Sequence, residues 1–292
     1  MGLGEWVYLE GAFVKAEAAK ISPFDRAYLF AHAAYEVTAV YDRKLIDFDA
    51  HLSRLEKTLY GIEILQPSMD LTELHHEIMA RNDLREGLIY LQVSAGNQGP
   101  RDFYGPENLE PSLFLFSTEK ALIGDMARDG VAVVSAPDTR WVQRDLKTTQ
   151  LLSQSLAYRA ARRAGAFTAI MHEDGVVTEA ASANAWIVTT GGILVTRDLS
   201  SALLPGITRQ SVLNLLQHAG VRVEERAFTL EEMRHAAEAF TTSTGVVIAP
   251  ILTLDGHPIG SGAPGPTTRH VQRLYYSHIG ADIETVAPWS WA

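Results

Sequence analysis

The sequence predicts a mixed α/β (α+β) protein in two domains, a smaller N-terminal α/β domain and a larger C-terminal one. Three observations carry this. At 292 residues the chain is long enough for two separate cores. Segments of period-two apolar alternation, as in half-buried strands, are interleaved with segments of helical spacing. From Glu119 to Arg128 the alternation lapses, which divides the chain into a small domain over 1–120, a linker over 121–128 and a large domain over 129–292.

In the first half, Trp6 to Val14 reads as two strands about a Glu10-Gly11 turn. Alternation of Tyr35, Val37, Ala39 and Tyr41 predicts a strand, which Asp42-Arg43-Lys44 turns into a second over Leu45 to Phe48. Asp49 is the expected N-cap of a helix over His51 to Tyr60, with Leu52, Leu55, Leu59 and Ile62 on one face. Arg54 lies off that stripe, so its spacing alone describes a surface arginine. A helix over Leu71 to Ala80 and strands over Leu88 to Ser94 and Ser112 to Ser117 complete the half. The stretch Ala95 to Pro106 holds too much glycine and proline for the interior of an element.

The second half opens on a strand over Val131 to Val134. Lys147 stands where a polar segment turns into an Ala/Leu-rich helix, Leu151 to Ala164. Strands follow over Thr168 to Met171 and Val176 to Val188, joined by Asp174-Gly175, and another over Ile193 to Thr196. Leu204-Pro205-Gly206 leads into a helix ending at Gly220. A short strand over Val221 to Val223, a helix over Leu230 to Ala239 and a strand running into the polar loop Thr242 to Gly245 come next. A hairpin about Asp255-Gly256 and a helix over Thr267 to His278 end the pattern. The tail Trp289-Ser290-Trp291 is expected to be exposed, either covering a partner or without fixed structure.

Composition bounds the partners. A formal net charge of −10 argues against general binding to nucleic acid or anionic membranes. With no cysteine, disulfides, thiolate catalysis and cysteine metal sites are excluded. There is no leader-like N-terminal pattern and no apolar run long enough to span a bilayer, so a cytoplasmic location is expected. The histidines lack metal-ligand spacing, and His75-His76 reads as a solvated pair in a charged helix; no metal is expected.

Two stretches point to chemistry: Trp141-Val-Gln-Arg-Asp-Leu-Lys147 and Gly175-Val-Val-Thr-Glu179-Ala-Ala-Ser182-Ala-Asn184. A lysine amine and a buried carboxylate a ring's width apart are what pyridoxal phosphate needs. The amine forms a Schiff base, and the carboxylate keeps the pyridine nitrogen protonated. Lys147 is therefore the candidate catalytic lysine and Glu179 the candidate partner of the ring nitrogen. Most lysines near a helix start are solvated surface groups, so the conjunction carries the weight. A helix opening at Gly206-Ile207-Thr208 offers free N–H groups and the positive end of its dipole to a phosphate, and Thr242-Ser243-Thr244-Gly245 supplies a second loop of donors.

These stretches, with Tyr35-Glu36-Val37 and His51-Leu-Ser-Arg54-Leu55, resemble the class IV aminotransferases, and most closely their D-amino-acid transaminase branch, in order from about Tyr8 to Tyr275. The resemblance implies a fold-type IV architecture with a C-terminal pseudo-barrel, pyridoxal 5'-phosphate as cofactor, and a homodimer. It implies a ping-pong transfer of an amino group from a D-amino acid to a 2-oxo acid. Arg54, Ile207, Thr208 and Thr244 would then bind the phosphate, Leu204 would pack on the ring, and Ser182 would sit in the hydrogen-bond shell beneath it. Tyr35 and Arg101 match residues that hold the substrate carboxylate; Val37, Tyr90, Phe103 and Ser243 join them as substrate-side candidates. The departures are specific. The family's glycine-rich run before Tyr-Glu-Val is Phe30-Ala31-His32-Ala33, and a histidine two after the arginine is Phe103. An apolar loop with Phe103 and Tyr104 would suit an aromatic primary amine, so an (R)-selective amine transaminase is the alternative. A branched-chain aminotransferase would have a tyrosine where Leu152 stands. A lyase resembling aminodeoxychorismate lyase would have threonines near Tyr35-Glu36-Val37, where only Thr38 occurs.

Overall fold

A computed structural model of the chain describes residues 2–291. They fall into two compact units, 2–122 with Leu146–Gln150, and Ile123–Asp145 with 151–291.

The first unit begins with β1 (Gly2–Leu9) and β2 (Ala12–Lys15). Glu10 and Gly11 between them both take positive φ, 46° and 92°, as the twist of a two-residue hairpin requires. α1 (Arg26–Phe30), too short to show periodicity, opens on Asp25, whose carboxylate accepts from Ala27 N at 2.7 Å. It closes at Ala31 with φ 54°, the left-handed turn for which the related glycine-rich run is suited. After β3 (Ala33–Tyr41) the expected second strand shrinks to β4 (Lys44–Leu45). Asp47 takes φ 52° and Phe48 already starts α2 (Phe48–Gly61), so Asp49 lies in the first turn rather than at the N-cap. α3 (Leu71–Arg81), β5 (Gly87–Ser94) and β6 (Ser112–Glu119) follow. The six strands form an antiparallel sheet, β2-β1-β6-β5-β3-β4.

One face of that sheet packs Val40, Ile89, Leu91, Val93 and Leu115 with Leu55, Leu59, Leu74 and Ile78 of α2 and α3. On the other face the register sets Val37 beside Tyr90 and Tyr90 beside Phe116. Tyr35, Val37 and Tyr41, which announce the strand by their alternation, are only half-buried, whereas Glu36 and Thr38 between them are buried.

The second unit comprises α4 (Asp125–Asp129), β7 (Val131–Pro137), α5 (Leu152–Arg163), β8 (Thr168–Glu173), β9 (Val176–Ala180), β10 (Asn184–Val188) and β11 (Leu194–Thr196). It continues through α6 (Ile207–His218), β12 (Val223–Glu225), α7 (Leu230–Arg234), β13 (Glu238–Ser243), β14 (Val247–Leu254), β15 (His257–Pro258), α8 (Pro266–His278) and α9 (Ile283–Val286). Its mixed sheet runs β12-β11-β10-β13-β14-β7-β8-β9, with β15 on β14. The strand expected over Val176 to Val188 is two strands, broken at Ala181–Ala183. An Ala180–Ala183 bridge curls the β9 edge back toward β10.

Three further expectations change. The linker holds α4, whose Ala127 and Arg128 carbonyls accept from Arg269 on α8 at 3.0 and 2.6 Å, so Ile123 onward joins the second unit. Lys147 does not begin the helix, which starts at Leu152. Leu146–Gln150 runs extended with the first unit instead: Tyr35 N donates to Lys147 O and Thr149 N to Ala33 O, both at 3.0 Å. The aromatic tail is ordered, with Trp289 edge-on to Tyr276 and beneath Arg269, and only Trp291 largely exposed.

Buried Glu238 on β13 caps α8 by accepting from Thr267 N at 2.9 Å, Thr268 N at 2.7 Å and Thr268 Oγ1 at 2.6 Å. Glu238→Ala strands these donors and is expected to cost about 3 kcal/mol in urea unfolding.

Candidate active site

In the first unit the extended course of Leu146–Gln150 sets Lys147 against β3. Its Nζ lies 4.0 Å from the centre of the Tyr35 ring, and it has no carboxylate partner among the described residues. Tyr35 stacks on Tyr90 at 5.5 Å and Tyr90 on Phe116 at 5.0 Å, so the half-buried sheet face is an aromatic floor beside the amine. Tyr90 donates its hydroxyl to Gln92 Oε1 at 2.8 Å, and burial pushes that hydroxyl's pKa up. The floor joins Lys147 with Tyr35, Tyr90 and, by register, Val37.

Behind the floor lies a polar cluster. Arg54 is buried rather than exposed, and its Nε and Nη2 donate to the two oxygens of Glu36, each at 2.8 Å. His51 Nδ1 donates to the same carboxylate at 2.8 Å. Burial works to raise the Glu36 pKa, but Arg54 and His51 outweigh it and hold the carboxyl at about 2. Burial also lowers the pKa of His51, which favours its neutral form. A depressed carboxyl contributes stability above its unfolded pKa and loses it as pH falls through the folded one. Wild-type stability is therefore expected to fall by about 3 kcal/mol between about pH 4.5 and 2 on account of Glu36. Urea midpoints of Glu36→Gln across that range should lack this component. His75, expected as solvated, is buried instead: its ring lies 4.6 Å from Phe48 and burial lowers its pKa to about 4.

Arg101 and Phe103 are not part of the aromatic floor. Arg101 stacks its guanidinium on Phe30 at 5.0 Å and on Phe103 at 4.6 Å, and Phe103 and Tyr104 are largely exposed.

The second unit builds a polar cluster of its own around Glu179, a buried carboxylate near the end of β9. Arg140 Nη1 donates to Glu179 Oε1. Asn184 Nδ2 donates to Oε2 at 3.0 Å, and Leu204 N approaches both oxygens at 3.3 and 3.4 Å. Arg140 is fixed by Asp138, to which Nε and Nη2 donate at 2.9 and 2.6 Å. Burial is the largest influence on Glu179 and pushes its pKa up, with Arg140 and the Leu204 N–H acting in opposition. Burial also opposes ionisation of Asp138, but Arg140 and the Thr178 hydroxyl prevail and keep that carboxyl below its ordinary range.

Asn184 couples this carboxylate to the start of α6, since its amide also donates to Leu204 O at 2.9 Å. Gly206, the N-cap, has no room for a side chain: a Cβ there would lie 2.0 Å from Asn184 Oδ1. Gly206→Ala must push that amide away from both partners, an expected loss of about 2 kcal/mol in urea unfolding of the cofactor-free protein. Ile207 and Thr208 follow in the first turn, with Thr208 buried. Ser182 accepts from or donates to Tyr158 OH at 2.5 Å. Ser243 ends β13 and its hydroxyl accepts from Val246 N at 3.3 Å, with Thr244 next in the loop. β-Branched Val247, closing this loop, takes φ 59°, a strained conformation.

Sequence reasoning missed Arg140, Asn184 and the Glu36–His51 support of Arg54. Asn184 and Glu36 stand inside the quoted stretches. Arg140 has no such signal, because only the fold carries the end of β7 to β9.

Residues 33–254, well over half the chain, match the model of the amino-transferase class IV family. The chain belongs to the class IV aminotransferases. Among relatives of this aminotransferase, the D-alanine aminotransferase of Bacillus licheniformis is 34% identical over 275 residues, covering 94% of this chain and 96% of that protein. The D-alanine aminotransferase of Listeria monocytogenes strain 10403S is 32% identical over 277 residues, covering 94% and 96%. The fold is that of solved aminotransferases. The branched-chain amino acid aminotransferase from Escherichia coli superposes with a TM-score of 0.83 over 94% of each chain at 23% identity. A hypothetical aminotransferase from Mycobacterium tuberculosis in its PLP-bound form gives 0.82 over 94% and 98% at 20% identity.

Proposed function

We propose that this class IV aminotransferase transfers the amino group of a D-amino acid, such as D-alanine or D-glutamate, to a 2-oxo acid with pyridoxal 5'-phosphate. The observation that carries the reading is the pairing of chemistries: a half-buried lysine amine with no carboxylate partner among the described residues, and a buried carboxylate held by Arg140 and Asn184. The named relatives supply the substrate class. The residues fit the cofactor, since Glu179 is a buried carboxylate that a ring N–H can meet, α6 opens with Ile207 and Thr208 in its first turn, and Arg54 is held rigidly by Glu36.

When bound, the cofactor supplies a carbonyl for amine exchange and a cationic ring that delocalises the electrons released from the substrate Cα–H bond. Lys147 would hold the cofactor through its amine and, once released, would move the proton of the substrate Cα, with the Tyr35 ring limiting where the amine can swing. Glu179 holds the proton on the ring nitrogen, kept in place by Arg140, Asn184 and Leu204 N–H. Arg54, Ile207, Thr208 and Thr244 would hold the phosphate, Leu204 would pack on the ring, and Ser182 would support its hydrogen-bond shell. Tyr35 and Arg101 orient the substrate carboxylate, with Val37, Tyr90, Phe103 and Ser243 around the side chain.

We also propose a homodimer, supported by Leu152 and Leu156, apolar and exposed one turn apart on α5, and a cytoplasmic location. Sedimentation at increasing concentration and cell fractionation test these. The exposed rings of Phe103 and Tyr104 favour (R)-configured aryl amines as a second donor class. The purified holoenzyme should show absorbance near about 400–420 nm that falls on adding D-alanine. A response to L-leucine or to (R)-1-phenylethylamine alone overturns the D-amino-acid reading.

A further inference from the structure

The loop that carries Arg101 is anchored from one residue the mechanism does not use. Arg26, at the start of α1, is buried. Its Nη1 donates to Gln98 Oε1 and to Asp102 O at 3.1 Å, and its Nη2 to Phe103 O at 3.2 Å. Thus one guanidinium grips the loop on both sides of Arg101. Gln98 tightens the same turn, its amide donating to Pro100 O at 2.9 Å and Asp102 O at 3.0 Å.

The other side of Arg26 is fixed with equal care. Nε donates to His32 Nδ1 at 3.0 Å, which requires that ring nitrogen to be unprotonated. His32 Nε2 then donates to Ile62 O at 2.7 Å, tying the ring to the end of α2. The Phe30 ring lies under both Arg26, at 4.7 Å, and Arg101, at 5.0 Å. Among the described residues every hydrogen-bond partner of Arg26 is neutral, so its charge is satisfied by three oxygen acceptors of the loop together with the His32 nitrogen and the Phe30 π face. A lysine has one point of attachment and cannot span these acceptors.

We infer that Arg26, seated by His32, is the positioning residue for the 98–105 loop and sets the orientation from which Arg101 receives the substrate carboxylate. It acts through Arg101 and touches no reacting atom. Arg101 as the carboxylate ligand rests on the function proposed above; the anchoring of the loop does not.

The test uses the holoenzyme and its Arg26→Gln, Arg26→Lys and Gln98→Ala variants, the last being the milder change should Arg26 variants fold poorly. Hydrogen–deuterium exchange should rise in peptides covering 97–106 and stay unchanged across β3 and β5. In parallel, KM for D-alanine should increase about tenfold or more with kcat changed far less. Arg26→Lys should not restore it, and Arg26→Gln should add little to Arg101→Ala. Unchanged exchange over 97–106 overturns the inference, as does a fall in kcat at constant KM or full additivity with Arg101→Ala. If the wild-type enzyme leaves D-alanine untouched, the substrate reading fails, and the exchange result alone decides the anchoring.

Discussion

Lys147→Ala should abolish turnover, with a loss of at least about 10^4-fold in the single-turnover reaction with D-alanine, because in the proposed mechanism exchange and proton transfer both rest on this amine. The fold should survive. Lys147 is half-buried, and the contact its side chain makes among the described residues is a cation–π one with Tyr35, worth about 0.5–1 kcal/mol. Its backbone holds the segment: the carbonyl accepts from Tyr35 N, and its N–H donates to Thr58 Oγ1 at 3.2 Å. A urea midpoint close to wild type with no detectable amino transfer is the expected pair of results. Retention of more than a hundredth of the rate would assign the proton transfer to another group.

Glu179→Gln should lower the rate with D-alanine by about 10^2–10^3-fold, the scale seen when one preorganised electrostatic partner is removed. The same substitution reports on the apo-protein. A carboxyl whose folded pKa is raised contributes stability that is fully present below its unfolded pKa and lost as pH rises through the folded value. Burial raises the pKa of Glu179, so the wild type should lose stability relative to Glu179→Gln as pH climbs from about 4.5 toward neutrality. Glu36 behaves in the opposite sense because Arg54 and His51 hold its pKa down. Wild-type stability that instead rises relative to Glu179→Gln as pH climbs would show that Arg140 outweighs burial.

Much of the secondary structure was legible because period is local information. The strands around Tyr35 and Tyr90, the helix over Leu71 to Ala80 and the Glu10-Gly11 turn follow from spacing and turn chemistry over a few residues. Elements little longer than one helical turn, such as α1 and α4, left no trace of that kind. The same limit moved Asp49 into a helix turn and split β9 from β10, since bends at Asp47 and Ala181–Ala183 depend on what the chain packs against.

By itself the sequence determined the chemistry on offer: Lys147 and Glu179 as amine and carboxylate, Gly206-Ile207-Thr208 as the opening of a helix, and a composition without cysteine. Those are properties of residue type and order. Only the tertiary structure decided the partners. It set Lys147 in an extended segment against β3, paired Arg54 with Glu36, brought Arg140 to Glu179 and placed Arg26 beneath the loop of Arg101. The physical reason is burial: a charge withdrawn from water must find its counterpart from whichever strand or helix the fold brings near, and that neighbour can lie anywhere along the chain.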